Sequence, residues 1–286
     1  MDQGSGRVRH VADVLAALES PLPRSYTNFV GRWLLHWGDT GRGLAAFALI
    51  TLGVLLTKSN TATAVVRPLI RAQIARAGLY QLPMVAFLAG ALGFVVVGQT
   101  VALLTRVGAQ NLVGTVMVSV VVRELGPLVT ALVVLLRTGT ATVIELGTAR
   151  ALGEIEALEA LGIDPVHYLV VPRVLGMAIA VFALTAYFIL GAIFSGYLFA
   201  FLQDVPLLPG DYFRQLALAL TWQDFVLLAL KSAGFGIVIA VITCFQGLAR
   251  PLELAEVSVV TTRALVASLL TCVMLDALFL LVYLAL

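Results

Sequence analysis

Charge is what this chain has least of. Only 12% of its 286 residues are Asp, Glu, Lys or Arg, where a soluble domain carries about 25%, and 60% are hydrophobic. Mean hydropathy is +1.02. These values exclude a soluble domain with a greasy core, because several apolar runs reach the roughly 20 residues that cross a bilayer. A net charge of +2, carried by scattered basic residues, excludes a nucleic-acid partner. The two cysteines, Cys244 and Cys272, both lie in apolar runs and suit small buried hydrophobes rather than a disulfide or zinc framework. Three histidines, His10, His36 and His167, have no second ligand at metal spacing, so no metal is expected. No G-x-x-x-x-G-K-[ST] occurs, and no catalytic motif replaces it; the chain reads as non-enzymatic and without a cofactor of its own. An intramembrane hydrolase is excluded because no histidine lies in a span to act as base. MDQGSGRVRH runs into an acidic, proline-containing stretch without an apolar h-region, so no removable signal peptide is expected.

What the chain does have is long apolar runs. Spans are predicted at about 83–104, 113–136, 172–202, 225–245 and 257–286. Residues 1–42 form a polar cytoplasmic and interfacial lead-in, and 43–286 the membrane domain. The run at 43–57 is too short to span and is assigned to the membrane surface. From 62 to 80, Arg67, Arg71 and Arg76 recur at helical spacing with Val66, Ile70 and Ile74 between them, the pattern of a basic amphipathic helix on anionic headgroups. The predicted fold is therefore all-α and polytopic: interfacial helices over 43–80, then five transmembrane helices. Nine of the eighteen lysines and arginines precede the first span. Arg137, Arg150 and Arg173 flank or lie between the second and third, whereas the loops 105–112 and 203–224 hold one arginine each. The excess of cations places the N-terminus and the 137–171 segment inside and the C-terminus outside.

Between the second and third spans lies TARALGEIEALEALGIDP, residues 148–165. Leu152, Ile155, Leu158 and Leu161 repeat every third residue, with Glu154, Glu156 and Glu159 among them, and Gly162 and Asp164-Pro165 end the pattern. An acidic amphipathic helix is repelled by an anionic leaflet, so a protein surface is its natural partner; an ordinary solvated connector is the alternative.

Residues 123–176 closely resemble the central signature of the MlaE family of permeases, also called YrbE. The resemblance rests on the RELGP motif from Arg123, the R-x-G-x-A step at Arg137–Ala141, the E-L-G-T-x-R step at Glu145–Arg150, the E-x-x-A-L-E-x-L-G-I-D-P segment and Pro172-Arg173. It extends more loosely from about residue 60 to the C-terminus. It implies the membrane subunit of an ABC transporter that moves phospholipid, or a related lipid, between a Gram-negative bacterial inner membrane and a periplasmic MCE-type lipid-binding protein, and so serves outer-membrane lipid asymmetry. The family forms a homodimer over two ATPase subunits, which bind ATP and Mg. The resemblance makes residues 148–162 a cytoplasmic coupling helix, with Arg150, Glu154, Ile155, Glu156, Leu158, Glu159, Leu161 and Asp164 facing the ATPase. It also makes the apolar stripe Val96, Leu103, Leu104 and Val107, together with Arg123 and Glu124, the wall of a lipid cavity. The extended lead-in departs from the family pattern.

Arg123 and Glu124 fall inside the second span, where each ionised group costs on the order of 3 kcal/mol and needs a partner or a wet cavity. As helix neighbours they point about 100° apart and do not pair with each other. Lys231, Arg263 and Asp276 are further ionisable positions expected to be buried. The depths of Lys231 and Asp276 differ by roughly 6 Å, a gap a lysine side chain can cover, so the two are expected to pair; the alternative is a lysine that snorkels to the headgroups and an aspartate bound to a backbone or hydroxyl group. Ala264, Ala267 and Ser268 are small residues expected at a dimer seam on the fifth span. An ion-coupled secondary transporter of a hydrophobic substrate is the competing reading; five spans do not divide into the two inverted halves it should show.

Overall fold

The computed structural model describes residues 41–55, 63–202, 209–248 and 253–285; the expected lead-in, as far as residue 40, lies outside them. The chain divides into two compact units, Met1–Ala48 and Leu49–Leu286. Helix α1, Gly41–Leu55, begins in the first; the second carries the rest.

Among the described residues every regular element is helical. Five stretches are long and apolar enough to cross a membrane: Val66–Arg106, Val113–Ala151, Val166–Leu202, Trp222–Leu248 and Val257–Tyr283. The first is not one rod. Helix α2, Thr63–Ala77, stops at Gly78 and a 3-10 turn at Leu79–Gln81. Helix α3 then runs from Leu82–Leu92 through a π-helical turn at Gly93–Val97 into Gly98–Arg106. The others are α4 (Val113–Ala151), α5 (Glu154–Ala160), α6 (Val166–Leu202), α7 (Pro209–Ala219), α8 (Trp222–Leu248) and α9 (Val257–Ala285).

Helix α4 was expected to end near residue 136 and instead continues to Ala151, for 39 residues. At 1.5 Å per residue that is about 58 Å, well beyond the ~30 Å hydrocarbon layer. Past that layer Glu145 and Arg150 are no longer desolvated, so polar residues that looked like a loop sit in the helix without cost. Helix α6, with 37 residues, is nearly as long, and the two overhanging ends carry α5 between them.

The expected single helix over 148–162 is divided. Residues 148–151 close α4, Gly153 takes φ 75°, α5 spans only Glu154–Ala160, and Gly162 again has φ 75°. Glycine adopts this left-handed backbone without the steric penalty other residues incur, so these two positions set both limits of α5.

Helices α3 and α6 pack through glycines. A methyl group on Gly93 would overlap the Ser195 hydroxyl and the Ala192 backbone, one on Gly98 the Phe199 ring, and one on Gly196 the Val97 side chain. The buried row Val85, Ala89, Val97 and Val101 thus lies directly on α6, a small-residue contact of the kind membrane helices use. Phe94 meets Phe199 edge-on at 4.6 Å. In the centre, Met177, Val181, Leu184 and Phe188 of α6 and Phe235, Ile239 and Ile242 of α8 are buried, and Thr130 of α4 shares a 2.6 Å hydroxyl contact with Thr185 of α6.

Helix α9 is the most peripheral span, with 17% of its apolar window buried. Of the three small residues expected at an outward seam, Ala264 and Ser268 are fully buried within this chain and Ala267 is half-buried. Their smallness serves the packing of α9 on its own neighbours, and spacing alone did not distinguish one neighbour from another. Arg263, expected to be buried, is exposed, because it lies on the side of α9 turned away from the bundle.

Candidate functional site

Two features of α4 build the central site. A π-helical turn at Val118–Leu125 widens the helix where Arg123 and Glu124 stand. Pro127, four residues beyond Arg123, has no N–H to give the Arg123 carbonyl. Lys231 of α8 reaches that carbonyl: its Nζ donates to it at 2.8 Å. The same ammonium lies 3.0 Å from Glu124 Oε2 and 2.7 Å from Asp276 Oδ1. Lys231 is fully buried, and its three partners come from α4 and α9. The expected pairing of Lys231 with Asp276 is thus present, with Glu124 as a second carboxylate that the sequence reading did not join to it.

Arg123 turns elsewhere. Its Nε donates to Asp224 Oδ1 at 2.8 Å, and its guanidinium lies 4.8 Å from the centre of the Tyr283 ring. Asp224 Oδ2 in turn accepts from the Thr221 N–H at 2.9 Å and the Thr221 hydroxyl at 2.8 Å, which caps the start of α8. The two neighbouring residues of α4 therefore engage two positions seven residues apart on α8, consistent with their inability to pair with each other. The cluster holds three carboxylates and two cations. Arg123 and Glu124 keep side-chain exposures of 31% and 30%, so the cluster opens to the surface at these two residues.

The stripe of α3 is placed less simply. Leu103 and Val107 are exposed, whereas Val96 and Leu104 are only partly so. Val96 lies within the π-helical turn, whose extra residue rotates it relative to Leu103. A cleft of about 370 Å³ is lined by Gln99, Ala102, Leu103, Arg106 and Phe199. Leu103 belongs to it, and no other member of the expected stripe does.

At the opposite end, α5 is fixed by one side chain and one ion pair. Ile155 is buried, and Arg150 Nε lies 3.3 Å from Glu156 Oε1. Asp164 Oδ1 accepts the Val166 N–H at 3.0 Å, which shapes the turn into α6. Leu158 is half-buried, and Glu154, Glu156 and Glu159 are exposed. Leu152 and Leu161, expected on the face with Ile155, stand 59% and 75% exposed, because the left-handed glycines turn the chain away at both ends of α5.

Sequence reasoning missed Asp224, placed in a loop next to an apolar run; an arginine inside a span and in need of a carboxylate was the signal for it. It also missed Glu145, which joins three helices: Oε1 is 3.1 Å from Arg76 of α2 and Oε2 is 3.1 Å from Arg173 of α6. Among the described residues no group of three or more His, Cys, Asp or Glu is placed to hold a metal ion.

A helical bundle with five potential spans and a charge cluster inside three of them defines a multi-pass membrane protein. The family model for the permease MlaE matches residues 70–282, and the chain belongs to that family. It is 27% identical over 246 residues to a probable ABC transporter permease of Rickettsia prowazekii, covering 84% of this chain and 91% of the relative. A probable ABC transporter permease of Synechocystis is 35% identical over 187 residues, 64% of this chain and 69% of the relative. The chloroplastic protein trigalactosyldiacylglycerol 1 of Arabidopsis thaliana is 34% identical over 166 residues, 58% of this chain and 47% of the relative. The chain is an ABC transporter permease, a component that works with an ATPase, and the ion-coupled reading is set aside.

Proposed function

We propose that this permease moves phospholipid, or a related lipid, between a Gram-negative inner membrane and a periplasmic MCE-type lipid-binding protein, as a homodimer driven by two separate ATPase subunits that bind ATP and Mg. The observation that carries the proposal is the half-exposed Arg123, a cation within an apolar span that Asp224 holds in place at 2.8 Å. A lipid headgroup needs such a charge, and its acyl chains need the apolar surface that Leu103 and Val107 expose. The Arabidopsis relative, named for a galactolipid, supports a lipid cargo.

The α5 end is taken as cytoplasmic because Arg76, Arg137, Arg150 and Arg173 gather there, against Arg106 and Arg214 at the other end. In this orientation the N-terminus is cytoplasmic, the C-terminus periplasmic, and α2 lies along the inner headgroups. The acidic α5 and the exposed Leu152 and Leu161 that flank it then face the ATPase, and both Arg150 and Asp164 hold the segment in shape.

Purification of the assembled transporter followed by lipid mass spectrometry tests the proposal. Phospholipid should copurify with an ATPase subunit and be depleted in Arg123→Gln. Absence of lipid from both proteins would overturn the lipid cargo.

A further inference from the structure

Two arginines on α4 and α9 take no part in the site described above. Arg137 lies in the π-helical turn Leu135–Gly139 of α4 and Arg263 in α9. Both are exposed, and neither side chain has an ion-pair or hydrogen-bond partner among the described residues. The Lys231 ammonium, which touches both Glu124 and Asp276, provides a common level from which to measure them. Arg137 follows Glu124 by 13 residues along α4, and Arg263 precedes Asp276 by 13 along α9. The two helices run in opposite directions, so both arginines lie about 20 Å from that level, toward the α5 end. Helix α9 also packs against the turn that carries Arg137. The unpaired cations thus occupy one depth on adjoining helices.

That depth indicates what pairs with them. Arg263 is six residues, or about 9 Å, from the inner end of α9. The 29 residues of α9 extend about 43 Å and overhang a ~30 Å hydrocarbon layer by some 6–7 Å at each end. Arg263 therefore starts just inside the hydrocarbon boundary, from which a long side chain reaches the phosphate level. Its exposed companions at helical spacing, Val259, Val266 and Leu270, are apolar, as a face against acyl chains should be and one against water should not. On α4, Leu136 and Ile144 are exposed in the same way.

We infer that Arg137 and Arg263 together bind the phosphate of a phospholipid in the leaflet at the α5 end, at a site separate from Arg123 and Glu124 and about 20 Å from it. The leaflet's identity as the inner one rests on the orientation proposed above; the site itself does not. An inner-leaflet lipid held here would wedge against α4 and α9, the helices that also supply Glu124 and Asp276.

The test uses the full transporter, ATPase included, in nanodiscs of phosphatidylcholine doped with photoactivatable phosphatidylglycerol. Nanodiscs present both leaflets, so labelling does not depend on orientation. Label is expected on residues 136–144 and 259–270, falling roughly fivefold in Arg137→Gln and in Arg263→Gln, as expected for loss of one interfacial cation. The decline should be smaller in the lysine variants. Label on residues 99–107 should persist in every variant, which separates failure of this site from failure of the lipid-transport reading. Label independent of both arginines would overturn the inference, as would loss at 99–107 as well, which would mark general misfolding. Displacement by excess inorganic phosphate would assign the arginines to a soluble anion, and label appearing only after removal of the ATPase would assign them to carboxylates of that partner; either result also overturns it.

Discussion

The Nζ of Lys231 donates to the carbonyl oxygen of Arg123 at 2.8 Å, and Arg123 stands four residues before Pro127. The lysine supplies the hydrogen that the proline nitrogen lacks. The R-E-L-G-P sequence thus combines two effects: its proline frees a carbonyl, and its arginine and glutamate recruit two positions on α8. A buried lysine that satisfies a backbone acceptor and two carboxylates at once belongs to the packing of three helices.

Lys231→Met should therefore be the most damaging change in the cluster. It leaves Glu124 and Asp276 facing each other without a counter-charge, a loss of about 3–5 kcal/mol for a broken buried pair. Asp276→Leu should cost less, because Glu124 still neutralises the lysine. Unfolding in detergent followed for both single variants and the double should give a coupling of about 0.5–3 kcal/mol. Strict additivity would mean that the two side chains do not interact.

The contact between α3 and α6 leads to a second prediction. Gly98→Leu forces a side chain into the Phe199 ring and should destabilise by about 1–3 kcal/mol, as overpacking does. Phe199→Ala should partly rescue it. A thermal shift in detergent measures both, and an unchanged melting temperature in Gly98→Leu would show that the helices are further apart than described.

The five spans were legible from apolar run length alone, since the bilayer leaves little choice of element. The continuation of α4 through Arg137, Glu145 and Arg150 was not, because polarity marks the limit of the hydrocarbon and not of the helix. The π-helical turns left no trace in the spacing, so the stripe drawn through Val96 and Leu103 did not foresee that Val96 and Leu104 are only partly exposed while Leu103 and Val107 are exposed. Lys231 and Asp276 were legible as a pair because two isolated charges in hydrocarbon have few partners to choose from. Arg263 looked the same and is exposed; sequence does not show which side of a peripheral helix meets the bundle. Asp224 and Glu145 went unnoticed because each lies where polar residues are ordinary.

Glu145 provides a third prediction. Glu145→Gln removes the charge that Arg76 and Arg173 share. Glu145 and Arg76 are exposed and only Arg173 is mostly covered, so global stability should change by about 1 kcal/mol or less. The effect should be local: faster amide exchange across Thr63–Ala77, with Val171–Leu202 unaffected. Unchanged exchange in α2 would show that the bridge to Arg76 contributes nothing to its position.

Reversal of Glu154, Glu156 and Glu159 to lysine should leave the spans inserted and folded while lowering lipid-stimulated ATP turnover, because complementary charge sets the docking register. Leu161→Asp, which alters an exposed apolar residue beside α5, should act in the same direction. Full turnover in both variants would remove α5 from the coupling role.

The central claim is that this chain carries lipid under the power of a separate ATPase, and transfer of a fluorescent phospholipid tests it most directly. The permease and its ATPase, reconstituted in vesicles with an MCE-type protein outside, should exchange the probe between membrane and acceptor in an ATP-dependent manner. Arg123→Gln should abolish most of that transfer while the complex stays assembled. Transfer that proceeds equally without ATP, or that ignores the loss of Arg123, would contradict the account.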